Sequence, residues 1–210
     1  MYQLTEKRML DALQQLSERD AVLAQVFEQY GVPPLLSRTQ NFATLVHIVL
    51  EQKVSLSSAN AIMQRVQVLC PRMQPEAFLS VPHAELRAAG MSNSKVAYCS
   101  AIAESLVSKQ LSLTALRRLD DEQVIETLTA VRGIGPWTAG VYLMMALRRA
   151  DAWASGDRAL LVSYAECANC EQTPSYEELD LIASQWAPYR GTAARLLWHA
   201  YLEKRNRKAL

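Results

Sequence analysis

The sequence has few cysteines and no long apolar run. Its 210 residues contain four cysteines, at positions 70, 99, 167 and 170, which are too few and too scattered for a disulfide framework. No stretch approaches the roughly 18–20 consecutive apolar residues that a membrane-spanning helix needs. The opening stretch, MYQLTEKRMLDALQQL, mixes charged with periodic apolar residues and does not resemble a signal peptide. We therefore expect a globular intracellular protein with one substantial core or two smaller ones.

A strong net charge is also absent. The formal net charge is +1 at pH 7, which argues weakly against nucleic-acid binding because a basic total is the usual electrostatic footprint of such proteins. The charges are nevertheless uneven, since the C-terminal stretch YLEKRNRKAL is basic and DDEQVIE is acidic. A neutral total can conceal a basic face, and charge alone therefore leaves the class of partner open.

The alternation of apolar and polar residues that is typical of β-strands is missing as well. Apolar residues instead recur with helical spacing in segment after segment, as in FATLVHIVLEQ. Asp120 and Gln123 have the spacing of a capping box at a helix start. Ser175 and Glu178 repeat that spacing further along the chain. The pattern predicts an all-α fold of about ten helices.

The stretch VRGIGPWTAGVY separates two segments with helical periodicity. Gly133 and Gly135 permit positive φ and close backbone approach, and Ile134 can point inward to anchor the turn. Backbone N–H groups at the start of the second helix would then face outward, with the positive end of the helix dipole behind them. Such a surface suits a DNA phosphate, held directly or through a monovalent cation, without reading base sequence. A plain reversal between two core helices explains the turn equally well.

Several motifs, in order along the chain, resemble those of one enzyme superfamily. LTAVRGIGPWTAGVYLMMALRRADAWASGD resembles the hairpin and aspartate signature of the helix-hairpin-helix DNA glycosylases, closest to the 3-methyladenine DNA glycosylase II branch and its short relatives. NFATLVHIVLEQKVSLSSANAI is similar to the family's early helix pair with a Q-Q-[IV]-S turn, and GMSNSKVAYCSAIAESL to its G-x-x-x-x-K-A helix start. WAPYRGTAARLLWHAYL is similar to its terminal W-x-P-[WY]-R-x-x-A-x-x-x-[LI]-W helix.

The resemblance implies an all-α protein of two helical subdomains with the active cleft between them. The central subdomain would span residues 39–149 and contain the hairpin, and residues 1–38 plus 150–210 would form the second. The implied activity is that of a monofunctional DNA glycosylase of base excision repair, which flips an alkylated purine of the 3-methyladenine or 7-methylguanine type out of the helix. The enzyme would hydrolyse the N-glycosidic bond and leave an abasic site.

The implied partner is double-stranded DNA that contains damaged bases. The protein is expected to act as a monomer and not to associate with a membrane. The expected location is therefore the nucleoid-containing cytoplasm or the nucleus. Two alternatives remain: a glycosylase for another lesion, such as uracil or hypoxanthine, and a non-catalytic helix-hairpin-helix DNA-binding protein. The second is disfavoured by Asp157, a carboxylate that a binding module does not need.

Asp157 in ASGDRALL matches the position of the family's essential acid. An aspartate at a helix start is also a common N-cap, and both roles can coexist. Trp137 occupies the position at which bifunctional members carry a lysine that attacks C1′ to form a Schiff base. Because an indole cannot act as that nucleophile, the resemblance implies that water attacks instead. Core packing is the alternative role for Trp137.

The family's base pocket is lined by aromatic rings. Trp137 and Trp198 match two of the positions, and they could stack on a cationic alkylated base with about 0.5–2 kcal/mol of cation–π attraction per ring. The family's pocket tyrosine falls on Val141 here, with Tyr142 one place along. Tyr142 is therefore the third pocket candidate, and Trp153 is expected either at the mouth or packed inside.

The remaining matches concern contacts to DNA. The wedge that fills the gap left by a flipped nucleotide lies in the family's Q-Q-[IV]-S turn, here EQKVS, where Gln52 is favoured over Lys53. Lys53 is a poor apolar wedge, although its stem can pack while its ammonium reaches phosphate, and a solvated surface turn is its alternative role. The predicted contacts to the DNA backbone are Gly133, Gly135 and Thr138, with Arg132 and Lys95 as weaker candidates.

No cofactor is expected beyond the monovalent cation at the hairpin. Cys167 and Cys170 form the sequence CANC, but zinc or an iron–sulfur cluster would need two further ligands, and the other cysteines are remote in sequence. The four clustered C-terminal cysteines of the endonuclease III branch are missing. The histidines also lack ligand spacing, so we predict no metal site and no iron–sulfur cluster.

Overall fold

The computed structural model of the chain describes residues 3–207, which form twelve α-helices and one short 3-10 helix, Ala115–Arg118. The α-helices are α1 Glu6–Arg19, α2 Ala21–Tyr30, α3 Phe42–Glu51, α4 Leu56–Leu69, α5 Pro75–Leu79, α6 His83–Ala88, α7 Asn93–Val107, α8 Asp121–Thr129, α9 Pro136–Met145, α10 Arg158–Cys167, α11 Tyr176–Ser184 and α12 Arg190–Glu203. In this range the β-structure amounts to an isolated bridge between Gln3 and Arg149. The all-α prediction is confirmed.

None of the helices described between residues 3 and 207 combines the length and the apolar character that crossing a bilayer requires.

Both predicted capping boxes are present. At the start of α8, Gln123 N–H donates to Asp120 Oδ1 at 2.8 Å, and Asp120 N–H donates to Gln123 Oε1 at 3.1 Å. At the start of α11, Glu178 N–H donates to Ser175 Oγ at 3.1 Å and Ser175 N–H donates to Glu178 Oε2 at 2.7 Å. Each box satisfies two backbone donors that the first helical turn leaves without partners, which fixes where the helix begins.

The chain divides into two compact units. The hairpin unit is Arg38–Tyr142, and the terminal unit contains the described residues up to Ser37 and from Leu143 onward. The boundaries predicted from sequence were 38/39 and 149/150. The second structural boundary therefore lies earlier, inside α9, because the residues after α9 bond to the N-terminal segment: Leu4 N–H donates to Arg148 O at 2.7 Å.

In the hairpin unit, α3 is the central helix. Its sequence FATLVHIVLE is apolar almost all round, and such a helix is stable only when other elements cover it. It packs against α4 and α7, and α7 packs against α5. The rings of Phe42 on α3 and Phe78 on α5 meet edge to face with centroids 5.4 Å apart. This core supports the turn that follows α3.

In the terminal unit, α12 is the central helix. It packs against α1, α2 and α10. Small residues in its first turns permit close approach: a Cβ added to Gly191 would lie 2.9 Å from Ala150 O and 3.0 Å from Arg149 O. Trp186, which is 1% exposed, donates its indole N–H to Asp20 Oδ2 at 2.7 Å and so ties the α11–α12 connection to the start of α2.

Candidate functional site

The Gly-Ile-Gly stretch forms the hairpin predicted from sequence. It connects the end of α8 to the start of α9, and Ile134 N–H donates to Val131 O at 3.1 Å to close the turn. Ile134 is 4% exposed and anchors the loop from inside. Ala139 N–H donates to Gly135 O at 3.0 Å, which places Gly135 at the start of the helical hydrogen bonding of α9.

The two glycines of the hairpin meet different demands. Gly133 has a φ of +94°, and a Cβ there would lie 2.3 Å from both Cβ and Cγ of Tyr98. Folding itself therefore requires glycine at this position. Around Gly135 a Cβ would meet no atom within 4 Å. The protein therefore leaves open space at that position.

Gln52 joins the turn after α3 to the hairpin. Its Nε2 donates to Gly133 O at 3.1 Å and to Thr138 Oγ1 at 2.9 Å. Thr138, a predicted DNA contact, is only 1% exposed, so its hydroxyl organises the hairpin rather than facing solvent. Gln52, the residue favoured from sequence as the wedge, uses its amide N–H groups in these two hydrogen bonds. These bonds give Gln52 a role inside the hairpin unit, and its role as a wedge stays a prediction.

Lys53 stands at the tip of the same turn. It is exposed and has a φ of +57°, a left-handed conformation that costs a lysine roughly 1 kcal/mol. The apolar side chain of the next residue, Val54, is 42% exposed. Lys53 is therefore the exposed residue of the pair, and Gln52 is the internally bonded one.

Buried polar groups fix the end of α3 below this turn. Lys95, a predicted phosphate contact, is 9% exposed, and its Nζ donates to Leu50 O at 2.7 Å. The prediction for Lys95 is therefore wrong, because its ammonium binds the Leu50 carbonyl near the C-terminus of α3. Burial lowers the pKa of Lys95. Glu51, also 9% exposed, accepts hydrogen bonds from Nη2 of Arg38 at 2.5 Å and from Nη1 at 3.1 Å.

Asp157 is the N-cap of α10. Its Oδ1 accepts the backbone N–H of Leu160 at 2.9 Å, and the residue is 9% exposed. The same oxygen accepts the indole Nε1–H of Trp198 at 3.2 Å. Two residues chosen from sequence for separate roles, one from the start of α10 and one from α12, are therefore in direct contact within the terminal unit. Trp198 is half-buried beside the carboxylate.

The other aromatic candidates have different surroundings. Trp137, in the first turn of α9, is half-buried in the hairpin unit. Tyr142 is 0% exposed, and its pKa is raised by burial, with Gln40 and Arg117 acting in the opposite direction. Tyr142 is therefore a core residue of the hairpin unit, and the pocket role predicted for it is not supported by its position. Trp153 packs edge to face on Trp186, with centroids 5.8 Å apart.

Cysteines and histidines are distributed without a common centre. Cys70, Cys99 and Cys167 are buried, Cys170 is exposed, and all four are free thiols. Burial raises the pKa of Cys99 to about 12, which keeps that thiol neutral. Across residues 3–207, no three side chains of the metal-ligating types are gathered into a cluster.

Sequence analysis did not single out two polar residues of the terminal unit, one of them buried and the other half-buried. Arg195 is 0% exposed and donates to three main-chain carbonyls, those of Leu35 at 2.8 Å, Gly191 at 2.7 Å and Met144 at 2.6 Å. Burial lowers the pKa of Arg195 to about 10. Its position among the small and apolar residues of TAARLLW is the sequence signal that could have indicated a buried arginine. Asp180 is the second, and its contacts involve the loop before Asp157.

Known proteins resemble this chain in both sequence and fold. Residues 46–188 match the sequence model of a protein family that is described as "HhH-GPD superfamily base excision DNA repair protein". DNA-3-methyladenine glycosylase 1 of Schizosaccharomyces pombe is 27% identical over 187 residues, which cover 87% of this chain and 82% of that protein. YfjP of Bacillus subtilis is 25% identical over 187 residues, covering 85% of this chain but 65% of YfjP, less than two thirds of its length.

Solved structures agree with this assignment. The Schizosaccharomyces pombe 3-methyladenine DNA glycosylase in complex with abasic DNA matches with a TM-score of 0.84 and 27% identity, covering 90% of this chain and 95% of that one. A DNA-3-methyladenine glycosidase from Bacillus halodurans matches with a TM-score of 0.76 and 29% identity, covering 98% and 95%. The family match contains both the hairpin and Asp157. The chain therefore belongs to the HhH-GPD superfamily of base excision DNA repair proteins.

Proposed function

We propose that this protein is a monofunctional DNA glycosylase that removes alkylated purines, of the 3-methyladenine or 7-methylguanine type, from double-stranded DNA. The observation that carries the proposal is the contact between Asp157 and Trp198, which places an aromatic ring beside the candidate catalytic carboxylate. The names of the Schizosaccharomyces pombe and Bacillus halodurans relatives, both enzymes for 3-methyladenine, support this substrate class. The site of action would be the compartment that holds the DNA.

The chemistry needs an anion near C1′ of the flipped nucleotide. A purine methylated at N3 or N7 carries a positive charge, so it leaves as a neutral base when the C1′–N bond breaks and takes the bonding electrons. Positive charge then develops on the sugar, and the Asp157 carboxylate stabilises it or orients the attacking water. Water adds its oxygen to C1′ and releases a proton. The products are the free base and an abasic site.

Trp198 contributes two properties to that step. Its ring can stack on the cationic base, an attraction worth about 0.5–2 kcal/mol. Its indole N–H holds Oδ1 of Asp157 at 3.2 Å, which restricts the orientation of the carboxylate. An aromatic ring favours the charged, alkylated base over its neutral parent, and so contributes to selectivity before any chemistry occurs.

Trp137 supports the monofunctional assignment. It stands after the hairpin at the position where bifunctional relatives carry the attacking lysine. An indole offers no amine for a Schiff base, so the abasic site would remain uncut. Borohydride should accordingly trap no covalent protein–DNA adduct, and strands should break only after alkali or an added endonuclease.

The hairpin unit would hold the DNA. Gly135 leaves open space at the start of α9, where outward N–H groups and the helix dipole suit a phosphate oxygen, directly or through a monovalent cation. The exposed Lys53 would enter the gap left by the flipped nucleotide, with its stem against the bases and its ammonium near phosphate. We propose that the protein acts on DNA as a monomer and requires no other cofactor.

A panel of lesions tests the proposal. Duplexes carrying 3-methyladenine, 7-methylguanine, hypoxanthine, uracil or 8-oxoguanine are incubated with excess protein, and the released base is measured by mass spectrometry. The proposal predicts release of the two methylated purines. Release of uracil or hypoxanthine alone would assign the protein to another lesion. Binding to every duplex without release of any base would identify a non-catalytic DNA-binding protein.

A further inference from the structure

The loop between α9 and α10 determines where Asp157 lies. It begins after Met145 and ends at Asp157 itself, and it contains no regular helix of its own. An irregular segment of this length keeps one conformation only if contacts with other elements offset the conformational entropy that its backbone loses. The contacts of this loop with α11 and α12, all within the terminal unit, are therefore informative.

The first half of the loop is bound by the start of α12. Asp151 accepts the backbone N–H of Arg190 at 3.1 Å and its Nη2 at 2.7 Å. Gly191 N–H donates to Ala150 O at 2.9 Å, and its missing side chain is what lets the loop lie so close. These contacts fix residues 150–151, several positions before the catalytic candidate.

The second half is bound by one carboxylate on α11. Asp180 Oδ1 accepts the indole Nε1–H of Trp153 at 2.6 Å, and Asp180 Oδ2 accepts the hydroxyl of Ser155. Both oxygens of a half-buried carboxylate are thus used on two alternate residues of the same loop. Between them, Ala154 is 1% exposed, and its carbonyl accepts the backbone N–H of Asp157 at 3.2 Å.

We propose that Asp180 is a positioning residue for Asp157. By holding Trp153 and Ser155 together, it fixes the turn that closes on the N-cap of α10, and hence the direction in which the Asp157 carboxylate meets Trp198. Asp180 acts only through the loop and takes no part in bond breaking. The inference rests on the proposed function, because Asp157 is the catalytic residue only if the protein is a glycosylase.

Three variants test the role. Asp180→Ala removes both acceptors. Asp180→Asn is the rescue variant, because its amide can accept from Trp153 and donate to Ser155. Ser175→Ala is the matched control, since it removes the capping box of α11 and destabilises the same helix without touching the loop. Each variant is compared with the wild type at a temperature well below its unfolding midpoint.

The measurements are single-turnover excision of 7-methylguanine, affinity for a duplex with an abasic-site analogue, and hydrogen exchange at the Leu160 amide. That amide donates to Asp157 Oδ1, so its protection reports the cap without requiring activity. In Asp180→Ala we expect excision to slow about 10–100-fold, affinity to change less than about threefold, and Leu160 exchange to accelerate. Asp180→Asn should restore most of the rate, and Ser175→Ala should leave both rate and exchange unchanged.

Wild-type excision and exchange in Asp180→Ala would overturn the proposal, and so would equal losses in Asp180→Ala and Ser175→Ala. A wild-type protein that excises no base would overturn the proposed function instead. In that case accelerated Leu160 exchange in Asp180→Ala would still support the positioning of Asp157, whereas unchanged exchange would overturn both claims.

Discussion

Trp198 donates its indole N–H to the same Asp157 oxygen that caps α10, at 3.2 Å, while the Leu160 amide donates at 2.9 Å. The carboxylate is thus held from two directions by the side chain of one helix and the backbone of another. An acid fixed in this way needs little reorganisation when charge develops beside it, which is the property that electrostatic catalysis requires.

The indole N–H can be separated from the ring by substitution. Trp198→Phe keeps an aromatic surface for stacking but removes the hydrogen bond to Asp157. Because the freed carboxylate must reorganise when charge develops beside it, we expect single-turnover excision to slow by at least about tenfold, measured at a temperature well below the unfolding midpoint of the variant. Trp198→Ala should slow it further. A rate for Trp198→Phe within twofold of wild type would show that the hydrogen bond is dispensable.

The two hairpin glycines should respond differently to alanine. Gly133→Ala puts a methyl group against Tyr98 at a positive φ, and we expect it to lower the free energy of unfolding by about 1–3 kcal/mol. Gly135→Ala meets no protein atom, so stability should change by less than about 1 kcal/mol while affinity for duplex DNA falls about tenfold. Unchanged DNA affinity in Gly135→Ala, measured by fluorescence anisotropy, would remove the hairpin from the DNA-binding surface.

Gln52 and Lys53 are adjacent but should affect different measurements. Gln52→Ala breaks both bonds to the hairpin, so we expect the free energy of unfolding to fall by about 1–2 kcal/mol. Lys53→Gly removes a side chain from a left-handed position, so stability should be kept or raised while DNA binding weakens and becomes less salt-dependent. Chemical denaturation and salt titrations check both results. A stable Gln52→Ala or a destabilised Lys53→Gly would contradict the assigned roles.

Part of the local structure at this site could be predicted from the chain. The resemblance of ASGDRALL to the family signature singles out Asp157, and its N-cap role follows from its place directly before Arg158, where α10 begins. The capping boxes at Asp120 and Ser175 depend on residues three positions apart, so local sequence contains all the information. The all-α fold followed from periodicity for the same reason.

What the sequence did not reveal concerns residues whose environment is set by distant parts of the chain. Tyr142 is an aromatic residue next to the family's pocket position, but the folded hairpin unit buries it completely. Gln52 could not be recognised as a bridge because its partners, Gly133 and Thr138, lie more than 80 positions away. Lys95 is a candidate contact to the DNA backbone by sequence, although α3 supplies its carbonyl partner at Leu50. Sequence identified the residue types of the site but not these long-range pairings.

The His47 side chain should make stability depend on pH. Burial lowers its pKa below 6.5, with Glu51 acting in the opposite direction, so the unfolded chain binds the proton more readily than the native protein does. Stability should therefore be lost as pH falls through 6.5 toward the native pKa. His47→Gln removes this contribution, so its unfolding temperature should decline less than that of wild type between about pH 7 and pH 5. Parallel declines would contradict the assignment to His47.

The central claim is that Asp157 performs the chemistry in a properly folded site. Asp157→Asn is the most direct variant, because asparagine also caps helices well and so preserves α10. With excess protein on a 7-methylguanine duplex, we predict that wild type releases the free base, whereas Asp157→Asn, with an unchanged unfolding temperature and intact DNA binding, slows release at least about 100-fold. Release by Asp157→Asn at the wild-type rate would contradict the account.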